Sequence, residues 1–244
     1  MIEVLPTGRP AREVGAAGAR PRAIAVEAIG VVTPDRYGRI VAYAQANSLE
    51  PGAVLDLATG VRVYPPERLP TNGGRPTAVR REAEVGRGSW PEVVAEMEAS
   101  ATEVIGRAWD GAGYAAFLAS GDGISFRWQV VAALRRCLAA GIPVVLTVTS
   151  PPEFAAGMRA ILSGVGLPVV LTCESGLHKH DGALWDACLH DHASEATRAE
   201  LLVIEDAWEH CATAAEHGAT AWWIDGDDDV AALVAALDGI VAAG

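Results

Sequence analysis

The sequence predicts a doubly wound parallel α/β sheet, a Rossmann-like core with a mostly helical cap inserted after the first strand. Two observations carry this. Apolar runs of roughly five residues alternate with helical patterns of ten or more, the rhythm of strand and crossover helix. The clearest instance is ELLVIEDAWEHCATAAEHGATAWWIDG, from Glu200 to Gly226. There an apolar run, Leu201 to Ile204, ends in Glu205 and Asp206; a helical pattern, Gly218 and a second apolar run, Thr220 to Ile224, follow.

Taken in order, residues 1–21 are rich in Gly, Ala, Pro and Arg and read as a loose tail. AIAVEA, from Ala23 to Ala28, is the first strand, interrupted by Glu27. Arg36 to Leu49 carries Ile40, Val41, Tyr43 and Ala44 on one helical face. Residues 50–88 are dense in Pro and Gly and predict only short helices. Ser89-Trp90-Pro91-Glu92 is a capping box with proline in the first turn, and opens a helix to about Ile105. Gly111 to Ser120 adds a small-residue helix. Residues 36–120 therefore form the cap, and 22–35 with 121–244 the core.

In the core, Trp128, Val131, Leu134 and Leu138 recur at helical spacing between Phe126 and Ala140, and Gly141 stops the helix. Pro143 to Leu146 is the next strand, ending at Thr147. Pro152 to Leu162 is a helix, Pro168 to Thr172 a strand and Asp181 to His190 a helix. Asp228 to Val241 closes the chain with Val230, Leu233, Val234, Leu237 and Ile240 inward.

Half of the 244 residues are hydrophobic and a fifth are charged, enough for a substantial core. A formal net charge of -12 argues against nonspecific binding to nucleic acid or anionic membrane, which needs a basic surface. No apolar run approaches the ~20 residues of a membrane span, and the N-terminal stretch lacks the apolar centre of a signal peptide. The expected location is the cytoplasm. Cys137, Cys173, Cys188 and Cys211 are widely spaced without CxxC, and read as free thiols.

Ligands of parallel α/β sheets bind beyond the carboxyl ends of the strands. Glu205 and Asp206 lie at such an end. Two hard carboxylates there suit Mg²⁺; they equally suit the positive end of a helix dipole. Glu27 inside an apolar strand is costly unless paired or metal-bound, or turned to solvent at the strand's end. Parallel strands would bring Glu27, Thr147, Lys179, Glu205 and Asp206 to one edge. Carboxylates there can hold a metal, and a hydroxyl and an ammonium a phosphoryl group. His178 and His180, like His190 and His192, alternate as zinc pairs do. Against zinc, His190 and His192 suit a helix C-terminus, and His178 and His180 can add positive charge beside an anion. Trp185, Trp222 and Trp223 read as core; Trp90 and Trp109 read as packing of the cap or as pocket walls.

These motifs resemble the haloacid dehalogenase-like (HAD) superfamily, in its class with a helical cap after the first strand. The likeness spans about residues 22–243. LLVIEDAWEHCATAAEHGATAWWID resembles the family's fourth motif and ESGLHKHDGALWDACL its third, with His180 in place of the usual proline. GIPVVLTVTSP resembles the second, with Val148 in place of the common asparagine, and AIAVEAIGVVTP the first, with Gly30 and Thr33 in place.

The resemblance implies a Mg²⁺-dependent hydrolase, a phosphatase acting on a small phosphorylated metabolite. It puts Glu27 at the nucleophile position, where the family has Asp. Thr147 and Lys179 fall at the catalytic phosphoryl-holding positions, and Gly30 joins them in contacting substrate. Glu27, Ile29, Glu205 and Asp206 fall at the metal positions. Ile29 stands where the phosphatases carry a second Asp, their general acid. Glu reaches on the order of 1.5 Å further than Asp, and a misplacement of about 1 Å can cost ~10²-fold in rate. A catalytically impaired member that binds or scaffolds is therefore the alternative. A 2-haloacid dehalogenase, whose first motif also lacks the second Asp, is a third reading. A homodimer is compatible with all three.

Overall fold

A computed structural model describes residues 13–14, 20–34, 36–59, 77–121, 124–224 and 227–243. Its strands are β1 (Glu13–Val14), β2 (Ala23–Glu27), β3 (Val144–Val148), β4 (Val169–Leu171), β5 (Leu201–Glu205) and β6 (Thr220–Trp223). Five are parallel, in the order β6-β5-β2-β3-β4. Within the stretch read as a loose tail, β1 adds antiparallel to the outer edge of β6, pairing Glu13 with Trp222.

The described helices are α1 (Arg36–Ala46), α2 (Pro51–Thr59), α3 (Ala78–Glu84), α4 (Trp90–Ile105), α5 (Gly111–Ser120), α6 (Trp128–Ala139), α7 (Pro152–Leu162), α8 (Thr172–Ser175), α9 (Ala183–His192), α10 (Trp208–Glu216) and α11 (Val230–Ala242). The sheet is the doubly wound α/β core the alternation predicts. Side chains alternate along each strand, so Ile24, Val26, Leu146 and Ile204 share one face. They pack on Leu134 of α6 and Leu233 and Leu237 of α11. Ala25, Val145, Val203 and Ala221 face the other way, onto Trp185 and Cys188 of α9 and Cys211 of α10. A sheet covered on both faces has strands apolar in both parities, which is why these runs read as continuous rather than alternating.

Helices α1 to α5 enclose a third cluster, with Ile40, Val54, Val93, Met97, Trp109 and Tyr114 buried. The capping box is present: the Ser89 backbone N–H donates to Glu92 Oε2 at 2.8 Å. Two helices, α2 and α3, lie within the Pro- and Gly-dense residues 50–88; residues 60–76 of that stretch lie outside the described ones. Trp185 and Trp223 are core, and Trp222 is partly buried against it. The four cysteines are free, three of them buried. No described helix is long and apolar enough to cross a membrane.

Candidate active site

The carboxyl ends of β2, β3 and β5 meet beneath the α1–α5 cluster. Parallel pairing sets Glu27 beside Thr147 and Val26 beside Ile204, which aligns the strand ends. A cleft of about 1070 Å³, including its open mouth, lies there. Glu27, Asp206, Thr149 and His210 line it from the core, and Arg39, Arg80 and Trp90 from the α1–α5 side.

Lys179 is the hub below this cleft. Its side chain is fully buried, and its ammonium is bonded to Glu27 Oε2 and, at 2.5 Å, to Glu205 Oε1. Glu205 is likewise fully buried, and its second oxygen lies 3.3 Å from His210 Nδ1. Burial alone would raise the Glu205 pKa. The Lys179 ammonium and the His210 ring outweigh it and hold this carboxyl below its usual range. Both Glu205 oxygens are therefore taken by protein groups.

Glu27 uses its other oxygen to accept the Ile29 backbone N–H at 2.8 Å. Ile29 lines the cleft with a side chain that has no donor or acceptor. The turn after β2 is shaped for a close approach. Gly30 has φ +110°, and the Asp206 carboxylate occupies the space a Cβ at Gly30 would need. Arg127, at the start of α6, braces this turn: its Nη1 donates to the carbonyls of Gly30, Val31 and Thr33, and its Nε to Asp227 at 3.0 Å.

Thr149 lines the cleft, and Thr147 is not among its lining residues. Thr147 is fully buried and donates to the Val26 carbonyl at 3.3 Å, as part of the sheet. Thr149, one residue past β3, lines the cleft with a buried hydroxyl that has no hydrogen-bond partner. Both threonines lie on the same strand parity, so periodicity alone did not separate them.

Two further groups escaped the sequence reading. His210, on the first turn of α10, joins Glu205 to the cleft wall. Glu84, at the end of α3, is buried and bonded to Arg80 Nε at 2.8 Å and to His178 Nε2 at 3.1 Å. Burial opposes its ionisation, but Arg80 and then His178 overcome this and bring its pKa to about 2. By contrast, His180 does not add positive charge beside the cleft. Burial, and then His210 and His178, push the His180 imidazole down to about 3, so it is neutral near pH 7. His190 is exposed and bonded to Asp191 at the end of α9. Trp109 is buried in the α1–α5 cluster, whereas Trp90 both packs there and faces the cleft.

The fold is that of the haloacid dehalogenase-like hydrolases. A HAD family enzyme from Bacteroides thetaiotaomicron, in a mutant form complexed with magnesium and inorganic phosphate, superposes with a TM-score of 0.57 at 14% identity, over 88% of this chain and 98% of that one. A predicted HAD-like family hydrolase from Porphyromonas gingivalis gives 0.54 at 19% identity, over 90% and 98%. An L-2-haloacid dehalogenase gives 0.57 at 18%, over 85% and 87%. These likenesses are of fold. No protein-family model and no curated protein sequence matches the chain.

Proposed function

We propose that this protein is a Mg²⁺-dependent phosphatase of small phosphorylated metabolites, with Glu27 as nucleophile. The observation that carries the reading is the Thr149 hydroxyl, buried and unpartnered in the cleft that Glu27 and Asp206 also line. An unsatisfied buried hydroxyl costs about 1–3 kcal/mol, and a phosphoryl oxygen is the kind of partner that repays it. A protein of similar fold solved with magnesium and inorganic phosphate supports the same ligand class.

The donor set fits Mg²⁺. Glu27 and Asp206 offer hard carboxylate oxygens to one cleft, and the missing Cβ of Gly30 leaves Asp206 its place there. The main-chain carbonyl is what Ile29 has to offer a cation. Glu205, held by Lys179 and His210, serves through Lys179 rather than by ligation. A bound Mg²⁺ would supply charge neutralisation for the phosphoryl oxygens.

The remaining chemistry belongs to the chain. Glu27 is paired with Lys179, and one of its oxygens attacks phosphorus as the P–O bond to the leaving group breaks. Thr149 donates to a phosphoryl oxygen. The departing alkoxide takes its proton from water, since Ile29 has none to give. A second water then attacks phosphorus, the bond to Glu27 breaks, and phosphate leaves with the carboxylate restored. Lys179 fixes Glu27 throughout and compensates its charge.

A non-catalytic binding role is the competing reading, favoured by one observation: both Glu27 oxygens are already engaged, by Ile29 and Lys179. The test is phosphate release from an aryl phosphate with Mg²⁺, for the natural sequence and Glu27→Asp. Turnover by the natural sequence, abolished by EDTA, sustains the phosphatase. Turnover by Glu27→Asp alone assigns the chain to binding, with its site silenced at one position. Halide release from a 2-haloalkanoate without metal would replace both readings by a dehalogenase.

A further inference from the structure

His178, His180 and His210 converge, and their candidate donor nitrogens all lie within 4.8 Å of one another. Two come from the turn around Lys179 and the third from the first turn of α10. The ring centroids of His180 and His210 are 4.6 Å apart, and those of His178 and His180 are 4.9 Å apart. His178 is buried and the other two half-buried.

The outer partners prepare two of these rings. His178 Nε2 lies 3.1 Å from Glu84 Oε2, while its Nδ1 accepts the His180 backbone N–H at 3.2 Å. An accepting Nδ1 is unprotonated, so Nε2 carries the proton toward Glu84. His210 places Nδ1 3.3 Å from Glu205 Oε2, which leaves Nε2 as the lone-pair nitrogen. A histidine that gives one ring N–H to a carboxylate and keeps the other nitrogen unprotonated is the arrangement that orients metal-binding imidazoles.

We propose that these three histidines form a binding site for a borderline-soft divalent metal, Zn²⁺ foremost. The site is separate in chemistry from the carboxylate pair that suits Mg²⁺, because imidazole selects Zn²⁺ over Mg²⁺. Tetrahedral donors about 2.0–2.1 Å from zinc are about 3.4 Å apart, so nitrogens spread over as much as 4.8 Å close by up to about 1.4 Å. His178 and His180 are stacked with 6° between their planes, and two parallel rings cannot both aim lone pairs at one ion. His180 therefore turns on binding, which its half-exposed position permits. His178 Nδ1 gives up the His180 backbone N–H in the same movement. His210 lines the cleft, so the bound ion sits in its wall.

Chelator-stripped protein is titrated with Co²⁺ and followed by ligand-field absorption, then with Zn²⁺ as competitor. One tetrahedral-type Co²⁺ per chain is expected, displaced by Zn²⁺ and not by a large excess of Mg²⁺. His180→Ala and His210→Gln each weaken it at least ~100-fold. His190→Gln/His192→Gln leaves it unchanged and controls for the exposed pair. Circular dichroism verifies that each variant is folded. Absence of a tetrahedral Co²⁺ spectrum in the unmodified protein overturns the proposal, as does binding that survives His180→Ala and His210→Gln together. Since the readout is metal binding, failure of the phosphatase reading leaves it standing, and its own failure leaves the phosphatase untouched.

Discussion

The carboxylate of Asp206 stands in the space that a side chain at Gly30 would fill. The turn after β2 and the acidic end of β5 are thus fitted to each other through a missing Cβ. Gly30→Ala forces Asp206 aside and strains a backbone at φ +110°. A cost of about 1–3 kcal/mol is expected from the backbone alone. Urea melts measure it, and Mg²⁺ titration by calorimetry should show binding weakened beyond what stability explains.

Lys179→Met tests the hub. It leaves Glu27 and Glu205 buried without their cation, and breaking one partner from such a group costs about 3–5 kcal/mol. Chemical denaturation should show a loss of this size at pH 7. The loss should shrink as pH falls and the orphaned carboxyls take up protons.

Thr147 and Thr149 should separate stability from binding. Thr147→Val removes the bond to the Val26 carbonyl and should cost about 1 kcal/mol. Thr149→Val removes a buried hydroxyl that has no partner and should raise stability by about 1–3 kcal/mol. Phosphate affinity, measured by calorimetry, should respond the other way: down about tenfold for Thr149→Val, a loss of ~1.4 kcal/mol, and unchanged for Thr147→Val.

The histidine cluster sets an acid limit. The folded pKa of His180 is about 3, below the ordinary 6.5, so the unfolded chain binds more protons between those values. Stability is complete above pH 6.5 and declines as pH falls toward 3; His210, shifted in the same direction, adds to it. Solvent screening at half-exposed His180 keeps the effect to about 1 kcal/mol, or about 2–4 °C in Tm. Glu84, with its pKa lowered from 4.5 to about 2, adds a second loss below pH 4.5. Calorimetric scans from pH 8 to pH 4 should show the first decline, and His180→Gln should flatten part of it.

The strand ends were legible because an apolar run that stops at a charge marks both the buried strand and its open end. Glu27, Glu205 and Asp206 could be found that way, and Lys179 through its motif. Thr147 and Thr149 could not be told apart, because alternation gives them the same face. The limit of β3 is set by pairing Val148 with Leu171 across the sheet, a tertiary fact. The roles of Glu84 and His210 were hidden for a related reason. Each sits in an ordinary helix pattern, and only the docking of α3 and α10 brings them to His178 and Glu205. Helix α3 was also hard to read: seven residues, three of them apolar, carry little periodicity.

Glu84 belongs to the helices over the cleft, His178 to the turn that carries Lys179, and they are bonded to each other. Thr172 donates to the Glu84 carbonyl at 2.6 Å, and Arg81 pairs with Asp181 across the same seam. The upper helices are therefore not a detachable module. Transplanting them onto another core of this fold would strand a buried carboxylate on one side and its imidazole on the other. A working chimera has to carry residues 77–88 and 172–181 together, as one heritable unit.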